Sequence, residues 1–281
     1  MFLCLVLAHL VVDFVLQTNK MCVDKAVKKW QSRYHYGHAM VVFGLSWLVT
    51  WDLDFWWCAL VIGVTHLGID MWKSYHDETV SWFVLDQLLH LAVLCSVVYI
   101  WTRCHEWAMP FDIEPWYVAA AVAVLVCWKP ANIFIKLTLK HYCLNMPANK
   151  DSAFNAGALI GTIERWLILI FVCLQRYDAL GLLIAAKSII RFGDKETAKT
   201  EYVLAGTLMS IFIAVMAGLL VSAYSGGYSA TDSGDTWPSE LDLQRYQYKV
   251  QRRNYETPQS PIQAQGRETG LLVQKLKYSE H

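Results

Sequence analysis

Apolar residues in this chain fall in long unbroken blocks instead of alternating with polar ones. Blocks of spanning or near-spanning length occupy about 2–18, 36–52, 55–72, 80–101, 116–129, 153–175, 179–192 and 201–224, against the roughly 20 residues a helix needs to cross a hydrocarbon core. The pattern predicts an all-α fold, a polytopic transmembrane helix bundle of about eight spans. The fifth and seventh blocks are short, so tilting, re-entry or an amphipathic extension such as Asn132 to Leu144 would bring the count to six or seven. From Ser225 onward the composition turns to Gln, Ser, Pro and mixed charge, which predicts a C-terminal extramembrane tail without fixed structure. The expected organisation is a four-helix domain over 1–104, a short span with an amphipathic linker over 105–152, a three-segment membrane domain over 153–224, and the polar tail over 225–281.

Loop charges orient the blocks, because Lys and Arg accumulate on the cytoplasmic side. The odd-numbered loops carry twelve, including Lys20, Lys25, Lys28, Lys29, Arg33, Lys73, Lys129, Lys136, Lys140, Lys150, Lys195 and Lys199, while the even-numbered loops carry only Arg103 and Arg176. This places the N-terminus outside and the odd loops in the cytoplasm. Eight spans put the tail outside, and a re-entrant seventh segment puts it inside. Met1 to Gln17 has neither the charged start nor the small-residue cleavage site of a signal peptide, and is read as a retained first span.

Composition supports this picture: of 281 residues 56% are hydrophobic and 17% charged, where soluble chains have about 25% charged. The 24 basic residues balance the 24 acidic ones, which excludes the basic footprint of a nucleic-acid binder. Eight cysteines are scattered singly without a Cys-x-x-Cys pair and read as small apolar packers.

The candidate chemistry lies inside the apolar blocks. His9 and Asp13, His66 and Asp70, and Asp86 and His90 are each four residues apart, which on a helix places the two side chains on one face a turn apart. His38 opens the second block, close behind His35, which lies nearer the loop and is expected to be solvated. With 9 His and 14 Asp in the chain, chance supplies roughly one such pair, against three here. An ionisable side chain at the centre of a span costs about 2.5–3.5 kcal/mol on insertion scales, so one inside the bilayer usually marks function. By the loop topology all of them converge on one layer of the cytoplasmic half. Imidazole with carboxylate suits zinc foremost, or iron or manganese. The surplus of donors points to two ions, or to one ion with carboxylates orienting its histidines. Asp13, Asp70 and Asp86 are also the candidate catalytic carboxylates. Two other readings of the same residues are a structural polar network and a proton or ion pathway. Gln17 and Gln87 lie beside the pairs as candidates to orient substrate or ligands, while His76, His105 and His141 have no partner at helical spacing.

A second polar set lies in the later blocks: Glu164 and Arg165, then Lys187 and Arg191 four residues apart, followed by Glu201, Tyr202, Thr207 and Ser210. A guanidinium beside an ammonium suits phosphate or carboxylate recognition.

These residues resemble a known family. Ala8-His9, Asp13-Phe14 and Gln17, the His38 of the second block, His66 with Asp70, and Leu85-Asp86-Gln87 with His90 are similar to the bacterial membrane proteins grouped as domain of unknown function 3307. Gly157 to Ser210, with Ile163-Glu164-Arg165, Ala185-Ala186-Lys187-Ser188 and Glu201-Tyr202 before Gly206-Thr207 and Ser210, resembles the C-terminal part of longer members. The resemblance implies a multi-pass protein of the bacterial inner membrane. The His/Asp pattern is also similar in kind to integral-membrane metal hydrolases such as the alkaline ceramidases, with more carboxylates and a different order. The expected function is metal-dependent hydrolysis of a lipid or lipid-linked phosphate or acyl substrate from the cytoplasmic side, with Lys187, Arg191 and Arg165 holding the anionic group. The alternatives are a proton- or ion-coupled transporter and a membrane scaffold or sensor. Membrane lipids are the expected partners. A homo-oligomer and a protein partner for the tail are compatible with the sequence.

Overall fold

Each of the eight apolar blocks folds as helix, in the order predicted. The computed structural model describes residues 1–107, 113–142, 151–191 and 197–225, without the side chains of 151–156, 189–191 and 197–202. The polar tail from 226, together with Lys150, Lys195 and the side chains of Arg191, Lys199, Glu201 and Tyr202, lies outside the described residues. All regular structure described is helical: α1 (Phe2–Leu10), α2 (Asn19–Lys28), α3 (Arg33–Thr50), α4 (Trp56–Lys73), α5 (Val80–Cys104), α6 (Pro115–Val126), α7 (Lys129–His141), α8 (Asp151–Cys173), α9 (Tyr177–Arg191) and α10 (Thr197–Tyr224).

Among the described residues, four helical stretches are long and apolar enough to cross a membrane: Leu53–Lys73, Val80–Cys104, Pro115–His141 and Val203–Tyr224. The third joins α6 to α7, so the amphipathic flank extends the short fifth block. The first block passes only with α2, and that pair is bent by 88°. For two further blocks the cause is local, while of the sixth only 157–173 is described in full. α3 is 18 residues long and opens on Arg33, His35 and His38, and α9 is only 15 residues long.

Along the described apolar helices much of the exposed surface is apolar, while the His and Asp groups of the first four blocks face inward. Leu60, Val61 and Val64 of α4 are exposed, whereas His66 and Asp70 of the same helix are buried. Exposed apolar surface of this extent needs an apolar solvent. Hydroxyls on these helices donate back along the chain, Thr65 to the Val61 carbonyl, Ser96 to that of Ala92 and Thr138 to that of Phe134, which satisfies them without water.

Two cores result. Leu5, Val12, Val42, Phe55, Ile62, Leu94 and Trp101 join α1, α3, α4 and α5, and Ala119, Cys127, Ile168, Val172, Ala214 and Val221 join α6, α8 and α10. Gly63 sets the spacing in the first. A Cβ on it would lie 3.0 Å from the Phe43 Cβ and 3.3 Å from the Ala39 carbonyl oxygen, so glycine here favours the close approach of α3 and α4 that brings His38 opposite His66. Gly218 does the same in the second core, where a Cβ would come within 2.6 Å of Val172.

Candidate metal centre

After His9, α1 passes into a π-helical turn over Val11–Leu16 that carries Asp13. The wider turn closes with the Gln17 N–H donating to the Val12 carbonyl at 3.1 Å, and such turns recur at functional sites. Gln17 and Thr18 are then extended, and α2 leaves across the bundle. Four helices thus supply the first core with His9 and Asp13, His38, His66 and Asp70, and Asp86 and His90, all buried or, for Asp13, nearly so.

The donors converge closely. His38 Nε2 lies 3.0 Å from His66 Nε2, and Asp13 Oδ1 lies 3.2 Å from the former and 3.4 Å from the latter. Asp70 Oδ2 closes the set at 3.7 and 3.9 Å from the same two nitrogens. In a tetrahedral site with bonds of about 2.0–2.1 Å, neighbouring donors stand about 3.3 Å apart. The residues therefore fit a four-coordinate divalent ion, with two imidazoles and two carboxylates. Asp13 Oδ1 is buried and takes no hydrogen bond despite its two close nitrogens, as expected of an oxygen aimed at the centre of a ligand set and away from one partner. Among the described residues, three groups have ligand atoms spaced to hold a metal ion: His9, Asp13 and His66; His38, His66 and Asp70; and Asp70, Asp86 and His90.

The surroundings fix these side chains. Lys25 Nζ donates to Asp70 Oδ2 at 2.7 Å and to Gln17 Oε1 at 3.2 Å. Lys73 Nζ donates to Asp86 Oδ2 at 2.5 Å, and Gln87 Nε2 donates to the same oxygen at 2.9 Å, while its Oε1 lies 3.4 Å from His9 Nε2. His90 Nδ1 donates to the Asp86 carbonyl at 2.8 Å. The His66 and His90 rings pack with centroids 4.2 Å apart and those of His9 and His90 at 4.9 Å. Gln17 and Gln87 are thus hydrogen-bonded to groups that hold the carboxylates. A cavity of about 10 Å³ lined by His9, His66 and His90 with Ser46 and Thr65 adjoins the cluster, room for about one water.

Residues 1–118 match the family model described as Protein of unknown function (DUF3307). The match covers the four helices that carry the His and Asp cluster. Neither the curated proteins nor the solved structures hold a match to the chain. All seven donors fall inside the DUF3307 region, and the second polar set falls outside it.

Two sequence expectations about the DUF3307 region are corrected. His35 is buried, not solvated, because α2 folds back over the start of α3, where Ser32 Oγ donates to Asp24 Oδ2 at 2.6 Å. Neither His35 ring nitrogen has a hydrogen-bond partner among the described residues. Lys25, counted as a solvated loop charge, is also buried. The sequence signal for both was faint: Lys25 stands eight residues after Gln17, and only the 88° bend carries it back.

Beyond the DUF3307 region, Arg165 is buried and already committed to protein acceptors. Its Nε donates to the Cys127 carbonyl at 2.6 Å, Nη1 to Ser210 Oγ at 3.0 Å, and Nη2 to Asn132 Oδ1 at 2.6 Å and Thr162 Oγ1 at 3.0 Å. It fastens the break between α6 and α7 to α8 and α10. Lys187 pairs with Glu164, at the wall of a cavity of about 80 Å³ lined also by Ser188, Thr207, Ser210 and apolar side chains of α8, α9 and α10.

Proposed function

We propose that this chain is a metal-dependent hydrolase of the bacterial inner membrane, acting from the cytoplasmic side on a lipid or lipid-linked phosphate or acyl substrate. The observation that carries the reading is the convergence of His38 Nε2, His66 Nε2 and Asp13 Oδ1 at 3.0–3.4 Å, with Asp70 as fourth donor. A divalent ion held there, zinc by the donor set, supplies Lewis acidity and lowers the pKa of a coordinated water.

The protein's own groups do the rest. Three carboxylates face two ammonium groups, Lys25 and Lys73, so with neutral histidines the cluster carries one net negative charge and one divalent cation makes it net positive. That balance favours an anionic substrate group over a neutral one. Asp86 is paired with Lys73, whose side chain is 41% exposed, so this pair would link the centre to the aqueous side for proton exchange. Lys187 and Glu164, beside the cavity in the later helices, are placed to meet the polar part of a lipid. The internal bonds of Arg165 give it a positioning role there. The eight-helix reading, the outward N-terminus and lipids as partners belong to this proposal.

The test is elemental analysis of detergent-purified protein beside His66→Ala, followed by assays on lipid phosphates and acyl lipids. Stoichiometric transition metal, lost in the variant together with hydrolysis, is the expected result. A folded, metal-free wild type that drives metal-independent flux across liposomes would overturn it in favour of a transporter using the same residues as a relay.

A further inference from the structure

Two buried lone pairs are left over once the first ligand set is complete. His90 is 4% exposed and Asp86 fully buried, yet His90 Nε2 and Asp86 Oδ1 have no hydrogen-bond partner among the described residues. Leaving a buried polar atom unsatisfied costs about 1–3 kcal/mol, so one on each of these two residues, a helical turn apart, needs an explanation.

Their surroundings aim both outward from the protein's own bonds. His90 Nδ1 is used by the Asp86 carbonyl at 2.8 Å, so its proton sits on Nδ1 and the lone pair is on Nε2, the tautomer that ligating histidines show. Asp86 Oδ2 is used by Lys73 and Gln87, which leaves Oδ1 as the free donor. His90 Nδ1 stands 3.6 Å from Asp86 Oδ1, too far for a hydrogen bond. The Asp70 carboxylate is the third member: ligand atoms of Asp70, Asp86 and His90 lie within 4.8 Å of one another. Asp70 also belongs to the group with His38 and His66.

We propose that Asp86 and His90, sharing Asp70 with His38 and His66, form a second metal position, so that the centre is dinuclear with Asp70 common to both ions. This deepens the hydrolase reading, and it rests on the first position being a metal site. The second position has one imidazole and two carboxylates, a harder donor set than the first, and so suits manganese or ferrous iron better than the first does. Paired ions would clamp the attacking and leaving oxygens of a phosphoryl or acyl transfer, a task one ion does less well.

The experiment is metal stoichiometry on full-length protein in detergent, loaded with Mn²⁺ and desalted, for wild type, His90→Gln, Asp86→Asn and His38→Ala, with electron paramagnetic resonance as second readout. His90→Gln retains a side-chain N–H for the Asp86 carbonyl, and circular dichroism with gel filtration selects the variants that fold. The expected result is two ions in wild type with an exchange-coupled spectrum. One ion with an uncoupled six-line spectrum is expected in whichever of His90→Gln and Asp86→Asn folds, and in His38→Ala. One uncoupled ion in wild type, unchanged by His90→Gln or Asp86→Asn but lost in His38→Ala, overturns the second position and leaves the hydrolase reading standing. No ion in folded wild type overturns both.

Discussion

Asp13 and Asp70 are the carboxylates on which the first ligand set depends, and they answer to substitution differently. Asp13→Asn removes a charge from an oxygen that takes no hydrogen bond, so the expected outcome is loss of bound metal by at least tenfold in affinity with little change in apo stability, read by competition with a chromogenic chelator. Lys25→Met instead strands the Asp70 carboxylate in the interior. Breaking a buried pair from one side costs about 3–5 kcal/mol, and a metal ion on the same carboxylate offsets part of that. The melting temperature of the variant should therefore rise more on adding metal than that of wild type, as followed by tryptophan fluorescence in detergent; an equal rise would remove Lys25 from the ligand set's surroundings. Six of the seven clustered residues were legible because His and Asp at spacing four are rare inside apolar blocks, and His38 from its place at the start of the second block. Lys25 and His35 were not, because their burial follows from where the chain turns back after Gln17, which the local residues do not encode.

At the scale of single elements, the centre depends on how closely α3 and α4 pack and on the break between α6 and α7. Gly63→Val places methyl groups against Phe43 and the Ala39 carbonyl, forcing the two helices apart and separating His38 from His66. Metal affinity should fall while the later helices keep their structure, a split that hydrogen exchange resolves helix by helix. Arg165→Met unlinks α6, α7, α8 and α10 and leaves the Cys127 carbonyl and Asn132 Oδ1 without their donor. The expected loss is about 2 kcal/mol or more in detergent unfolding, with metal content unchanged; loss of metal instead would give Arg165 a role in the centre. Helices were legible from block length alone. The π turn, the 88° bend and the bonds of Arg165 were not, since a run such as Val11-Val12-Asp13-Phe14 reads equally as an ordinary α-helix.

For the molecule as a whole, the inverted polarity sets the conditions under which the centre is filled. Protons compete with metal for the Nε2 atoms of His38 and His66 and for the carboxylates, so binding releases protons and affinity falls as pH falls. Metal should be retained at neutral pH and lost progressively on acidification, checked by elemental analysis after desalting at each pH; retention in strong acid would argue against imidazole and carboxylate ligands. Topology is open to a thiol test: Cys22 and Cys104 are both exposed, and the orientation read from loop charges has an impermeant maleimide label Cys104 and spare Cys22 in intact cells.

The ammonium groups of Lys25 and Lys73 bear on biogenesis. A small zinc domain stays unfolded until its ion arrives, because its ligands have nothing else to hold them together. Here two of three carboxylates are paired with ammonium groups in the folded bundle, so on the proposed reading the helices would be able to close around an empty centre. Closure of the bundle and metal delivery would then be separable steps. An apo pool in the membrane would be a folded reserve awaiting its cation and not a target for quality control.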